Sequence, residues 1–242
     1  MLVQTHRIPP LRPSLAQWND LIKPSPGQGD SVVLGRREND PLPQSIQDVR
    51  RSVNQLDFHS LDPFVATVGA GIAADQIELP KGETVLELHV PEYYAEGVEV
   101  LFGAHHGPGA PLLVILPGIH GSGQGSHCSL FKKIALERGM NYLVLPNSMS
   151  PDMLDDKPRF HPGNPRVDAL WSHQLLNTFR QSHPDFCSKV SVAGYSYGAL
   201  QGANLIRLDE EGSERVIDGN FVALSPPENL THSMLQLDAL RD

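Results

Sequence analysis

Residues 194–198 read Gly-Tyr-Ser-Tyr-Gly, a serine flanked two positions away on each side by glycine. A serine is barely nucleophilic at its own pKa and does covalent chemistry only when its surroundings activate it. Those around Ser196 are suggestive. Val190, Val192 and Ala193 read as the end of a buried strand, and the stretch from Tyr197 to Leu208 reads as a helix that starts at once. A strand turning sharply into a helix strains the residue at the turn and lifts its side chain above the sheet. Small neighbours at Gly194 and Gly198 relieve the crowding, and Gly202 lets the helix pack close. The helix N-terminus also favours negative charge developing beside the serine. The same five residues fit a plain tight turn with no chemistry, so the pattern alone is a hypothesis.

A nucleophilic serine needs backbone N–H groups to hold the oxyanion it generates. One donor is expected from the residue after the nucleophile, Tyr197, and the other from the loop after the third strand. That loop lies within "VILPGIHGSGQGSH", where glycines let the backbone approach a substrate. Ile119 follows Pro117-Gly118 at the strand end and is the expected second donor. A glycine-rich connection without a ligand is the plain alternative. A phosphate loop is disfavoured, because no Gly-Lys-Ser/Thr follows.

The elements that must position these groups can be read from the apolar pattern. "TVLELHV" and "GVEVLFGA" look like two strands joined by a short connection. "PLLVILPG" is a continuous apolar run, as expected for a strand buried on both faces. "NYLVLPN", "KVSVAGYS" and "GNFVALSP" are further strands. Between them lie helices at Leu130–Arg138, at "NPRVDALWSHQLLNTFRQ" and at Tyr197–Leu208. In the second, Asn164 caps, Pro165 opens the first turn, and Leu170, Trp171, Leu175 and Phe179 form an apolar stripe. Strands alternating with helices imply an α/β domain with a mostly parallel sheet flanked by helices. Residues 1–60 read as a partly irregular N-terminal extension, rich in Pro, Gly and charge over 1–43, with a helix around Ile46–Leu56. Residues 61–242 read as the α/β domain.

"LLVILPGIHGSG", "NYLVLPNSMS" and "KVSVAGYSYGALQGANLI", in that order and spacing, resemble the core of the α/β-hydrolase superfamily. Residues 158–176 further resemble the YheT-like branch through Phe160, His161 and Gly163. The resemblance implies serine-dependent hydrolysis of esters or thioesters, with a small acyl substrate, Ser196 as nucleophile, and Ile119 and Tyr197 at the oxyanion hole. It also implies an acid and then a histidine later in the chain. After Ser196 the sequence has one histidine, His232, and the only Asp residues beyond it are Asp238 and Asp242, the reverse of that order. The segment looks instead like the opening of a further helix. The chain therefore reads as the front part of a hydrolase whose C-terminal strands are missing, leaving an exposed sheet edge open to self-association. His120 in the oxyanion loop is the nearest substitute base, but no acid is spaced to orient it. The competing reading is a catalytically silent module of the same fold that binds a small ligand or a protein.

Composition narrows the partners. The net charge is −9 without a Lys/Arg cluster, which disfavours nucleic acid and anionic membrane surfaces. No apolar run is long enough to span a membrane. Prolines near the start interrupt any signal-peptide core, and two cysteines make no disulfide framework, so a cytoplasmic protein is expected. Gly69, Gly71 and Ala74 echo a dinucleotide motif, but Pro80 and Gly82 leave no room for the helix it needs. His105, His106, His120 and His127 lack a metal-ligand spacing. No cofactor or metal is expected.

Overall fold

The computed structural model describes residues 77–235, except 120, 122, 213, 214, 228, 232 and 234. The N-terminal extension, the Ile46–Leu56 helix, the Gly69–Ala74 stretch, His120, His232, Asp238 and Asp242 lie outside the described residues.

The described strands are β1 (Glu83–Leu88), β2 (Val98–Gly103), β3 (Leu112–Leu116), β4 (Asn141–Val144), β5 (Val190–Tyr195) and β6 (Phe221–Leu224). They form one sheet in the order β1-β2-β4-β3-β5-β6. β1 pairs antiparallel with β2, and β2 antiparallel with β4. β4, β3, β5 and β6 run parallel. Parallel neighbours need crossover connections, and three helices supply them: α1 (Ser126–Glu137), α3 (Pro165–Ser182) and α4 (Tyr197–Glu211). A short α2 (Pro151–Asp155) follows β4.

β3 explains the architecture. All five of its residues are buried, and successive side chains point to opposite faces. Leu112, Val114 and Leu116 join Trp171, Leu175, Phe179 and Leu205 in one apolar cluster, under α3 and α4. Leu113 and Ile115 join Cys128, Phe131 and Ala135 of α1 on the other face. The continuous apolar run in the sequence is thus a strand covered by helices on both sides.

Two details depart from the sequence expectation. α1 starts at Ser126, four residues before the expected Leu130, with Gly125 as its cap residue. Its first turn, Ser-His-Cys-Ser, carries little apolar periodicity, so the pattern hides it. In α3 the Asn164 side chain accepts from Arg166 and Val167 N–H as expected. Trp171, Leu175 and Phe179 are buried, but Leu170 is 43% exposed, one residue around the helix from the stripe. At the C-terminal side Leu230, Thr231, Ser233 and Leu235 are helical. Among the described residues β6 pairs only with β5 and lies at an edge of the sheet. No described helix is long and apolar enough to cross a membrane.

The loop after α4 is held by a buried carboxylate. Asp209 accepts hydrogen bonds from the N–H groups of Val216 (2.9 Å) and Ile217 (3.0 Å). His173 of α3 stands 3.1 Å from the same carboxylate. Removing it strands two buried donors, each worth about 1–3 kcal/mol. Asp209→Ala is therefore expected to lower unfolding free energy by about 2–5 kcal/mol in urea denaturation; a loss below about 1 kcal/mol would show the loop held otherwise.

Candidate active site

β5 delivers Ser196 to the C-terminal end of the parallel sheet. Gly194 lies between Leu116 of β3 and Ala223 of β6, and Tyr195 beside Leu224. At Ser196 the chain turns with φ 52° and ψ −120°, and α4 begins at the next residue. That conformation costs a non-glycine residue about 1–3 kcal/mol. Local bonds hold it: Ser196 N–H donates to Leu224 O (2.9 Å), and Ser196 O accepts from the N–H of Ala199 (3.0 Å) and Leu200 (3.3 Å). A side chain at Gly198 would strike the carbonyls of Leu116 and Pro117, and one at Gly194 would strike the Gly198 backbone. The elbow exists because both positions lack a Cβ.

The loop after β3 passes over this turn. A Cβ added to Gly118 would sit 3.4 Å from Ser196 Cβ and 3.2 Å from the Tyr195 ring. The loop then tightens into a turn closed by Gly121 N–H on Gly118 O at 2.9 Å, with Ile119 as its second residue. The structure thus brings Ile119, Ser196 and Tyr197 to one end of β3 and β5. The first N–H groups of a helix have no intrahelical acceptor, so Tyr197 N–H opens α4 as an unused donor within that helix. Beside the loop is a cavity of about 130 Å³, lined by Ile119, Gly121, His127, Cys128, Phe131 and Tyr195.

Side chains the sequence reading did not single out hold these pieces. Asn147, buried just past β4, donates from Nδ2 to Gly118 O (3.0 Å) and Pro117 O (3.3 Å). Ser148 Oγ donates to Asp168 Oδ1 at 2.8 Å. The other carboxylate oxygen accepts from Gly163 N–H (3.0 Å) and, in a short hydrogen bond, from the Tyr197 hydroxyl. Gln201 Nε2 donates to Asp168 O (3.2 Å) and to Ser172 Oγ (2.7 Å). One signal was available: Asp168 falls at positions i, i+4 and i+7 with Ser172 and Leu175 on the buried face of α3. A carboxylate in an apolar stripe has a partner or a job.

The histidines separate. β2 is antiparallel to β4, with Gly103 opposite Tyr142. His105 and His106 therefore lie at the start of β4, the opposite end of the sheet from Ser196. A five-residue strand at ~3.3 Å per residue puts roughly 16 Å between those ends. His106 Nε2 lies 3.1 Å from Leu136 O there. His161 is exposed in the loop before α3. His127, expected in the oxyanion loop, is instead on the first turn of α1, where its ring stacks on Tyr195 at 3.7 Å. Among the described residues no side chain hydrogen-bonds Ser196 Oγ, and no three His, Cys, Asp or Glu residues could share a metal ion. Cys128 and Cys187 are free thiols.

No family model and no curated protein matches the sequence. Solved structures do. An esterase from Pyrococcus furiosus is 18% identical, over 66% of this chain and 55% of its own, with a TM-score of 0.51. A hyperthermophilic esterase from the archaeon Pyrobaculum calidifontis is 17% identical, over 76% of this chain and 58% of its own, with a TM-score of 0.50. The chain has the α/β-hydrolase fold. It spans little more than half the length of these two esterases.

The Asp168 environment has a pH signature. Burial pushes its carboxyl above the usual carboxylate range, against the opposing pull of the Tyr197, Ser148 and Gly163 donors. The folded state then holds this proton more tightly than the unfolded chain. That part of the stability is present below the unfolded pKa and is lost as pH rises through the raised folded value. Asp168→Asn removes the titration. The stability of wild type minus that of Asp168→Asn, from denaturation at stepped pH, is expected to shrink as pH rises above the usual carboxylate range. A difference that grows would mean the three donors outweigh burial.

Proposed function

We propose that the chain is built for serine-dependent acyl hydrolysis of esters or thioesters, with Ser196 as nucleophile and the N–H groups of Ile119 and Tyr197 as oxyanion donors. The observation that carries this reading is the Ser196 conformation, φ 52° and ψ −120° between β5 and α4, with Gly118 folded over it. Strain of this kind survives only where surrounding contacts over-determine it, and it concentrates at reactive residues. The esterase-like fold supports the same reading by analogy, and the neighbouring cavity suits a small acyl group.

A second reading, a silent module that binds a small ligand or partner, is favoured by one fact. Ser196 Oγ has no hydrogen-bonded base among the described residues. Serine without a base reacts slowly, and losing triad members costs ~10⁴–10⁶ in turnover while leaving oxyanion-hole catalysis. A fluorophosphonate probe is therefore expected to label Ser196 over hours, with Ser196→Ala unlabelled and p-nitrophenyl acetate turnover near background. Wild-type protein that stays as unlabelled as Ser196→Ala would favour the silent module. Rapid stoichiometric labelling would favour a base already in the chain, with His120→Ala and His232→Ala as the variants that identify it.

A further inference from the structure

The two expected oxyanion donors sit on separate segments, the loop after β3 and the start of α4. Consecutive residues of a third segment reach both. Asn147 donates to Gly118 O at 3.0 Å and to Pro117 O at 3.3 Å. The Gly118 carbonyl shares its peptide plane with the Ile119 N–H, and in a trans peptide the two point in opposite directions. Asn147 and the Gly121 N–H (2.9 Å) together hold that carbonyl, which places the Ile119 N–H on the far side of the plane. On the other arm Ser148 donates to Asp168 at 2.8 Å, and Asp168 accepts from the Tyr197 hydroxyl. Tyr197 is 1% exposed, Asp168 0% and Ser148 0%, so no water competes for this chain of bonds. Asn147 is itself braced: its Oδ1 accepts from Met149 N–H at 2.8 Å.

We propose that Asn147-Ser148 is a two-armed brace that sets the separation and aim of the oxyanion donors, with Asn147 directing the Ile119 N–H and Ser148, through Asp168, seating Tyr197. The inference rests on the site reading above and names positioning residues within it. Neither residue touches the reacting atoms. Each acts through a neighbour, and both sit on the rigid exit of β4, a strand hydrogen-bonded on both sides.

The test uses Ser196→Cys, because a thiol can attack without an adjacent base. In acylation by p-nitrophenyl acetate, the thiolate attacks the carbonyl carbon, the C–S bond forms, p-nitrophenolate leaves, and charge passes through the carbonyl oxygen. In alkylation by iodoacetamide the C–S bond forms as iodide leaves, and no oxyanion arises. The ratio of the two rates at residue 196, read by peptide mass spectrometry, reports donor geometry apart from thiol ionisation and access. Asn147→Asp, Ser148→Ala and Tyr197→Phe are each added to Ser196→Cys. Each is expected to lower the ratio about tenfold, a fraction of the ~10²–10³ that deletion of a whole oxyanion donor costs. Alkylation should hold. Tyr197→Phe removes one hydroxyl from a retained ring and is the variant most certain to fold. An unchanged ratio in folded variants, or acylation and alkylation falling together, overturns the brace. A ratio in Ser196→Cys alone no higher than at Cys187 of the same chain overturns the site reading, and the brace with it.

Discussion

The structure turns on one close approach, that of the β5–α4 elbow to the end of β3. Gly198 lies against the Leu116 and Pro117 carbonyls so tightly that no side chain fits, and Gly194 is packed under Gly198 in the same way. This contact requires β3 and β5 to be neighbours in register, which their ladder from Leu112–Val190 to Leu116–Gly194 provides. It also requires α4 to rise at once from the strand, which forces Ser196 to φ 52°. The cost, about 1–3 kcal/mol, is smaller than the several kcal/mol gained by burying β3 between two apolar layers. The sheet can therefore hold a strained serine at its rim without losing the fold.

Polar groups inside this frame follow a second rule. Asp168 and Asp209 are both essentially inaccessible, and each is surrounded by donors. Asp209 meets two loop N–H groups and His173, and ties down the chain between α4 and β6. Asp168 meets Ser148, Gly163 and Tyr197, and ties together α3, the exit of β4 and the elbow. A buried carboxylate without donors would cost several kcal/mol or take up a proton instead. With three donors it becomes a rigid node. Helix α3, whose apolar face would serve as simple covering, is through Asp168 bound to the residue beside the serine.

Much of this was legible in the residues. The unbroken run Leu112–Leu116 announced a strand buried on both faces, because only a doubly covered strand tolerates apolar groups at every position. Asn164-Pro165 announced the start of α3 by cap chemistry. The glycines at 194 and 198 announced a close approach at Ser196. What stayed hidden depends on contacts between segments distant in sequence. Asn147 looks like any strand-end asparagine until its carbonyl partners, thirty residues away, are known. His127 looked like a loop residue because the first turn of α1 has no apolar rhythm. Leu170 and Trp171 are adjacent in sequence, and only packing decides which of them faces the core.

The site divides into two kinds of equipment with different structural origins. In the proposed reading, nucleophile position and oxyanion donors depend on β3, β4, β5 and the start of α4, all of which lie among the described residues. Proton transfer would depend on a histidine held by an acid, and no described histidine hydrogen-bonds Ser196 Oγ: two lie at the far end of the sheet, His127 stacks on Tyr195 beside the cavity, and others lie on outer helices and loops. The two kinds are physically separable. Electrostatic stabilisation of an oxyanion needs only fixed dipoles, and it persists when triad members are removed, leaving ~10³–10⁴-fold catalysis over water. Fixed dipoles are what the β3 loop and the elbow would supply, because glycine contacts and buried hydrogen bonds allow them little freedom to reorganise. In the proposed reading, then, the strain at Ser196 belongs to a preorganised receptor for a carbonyl. That receptor would retain its affinity for a tetrahedral oxyanion whether or not a base stands beside the serine.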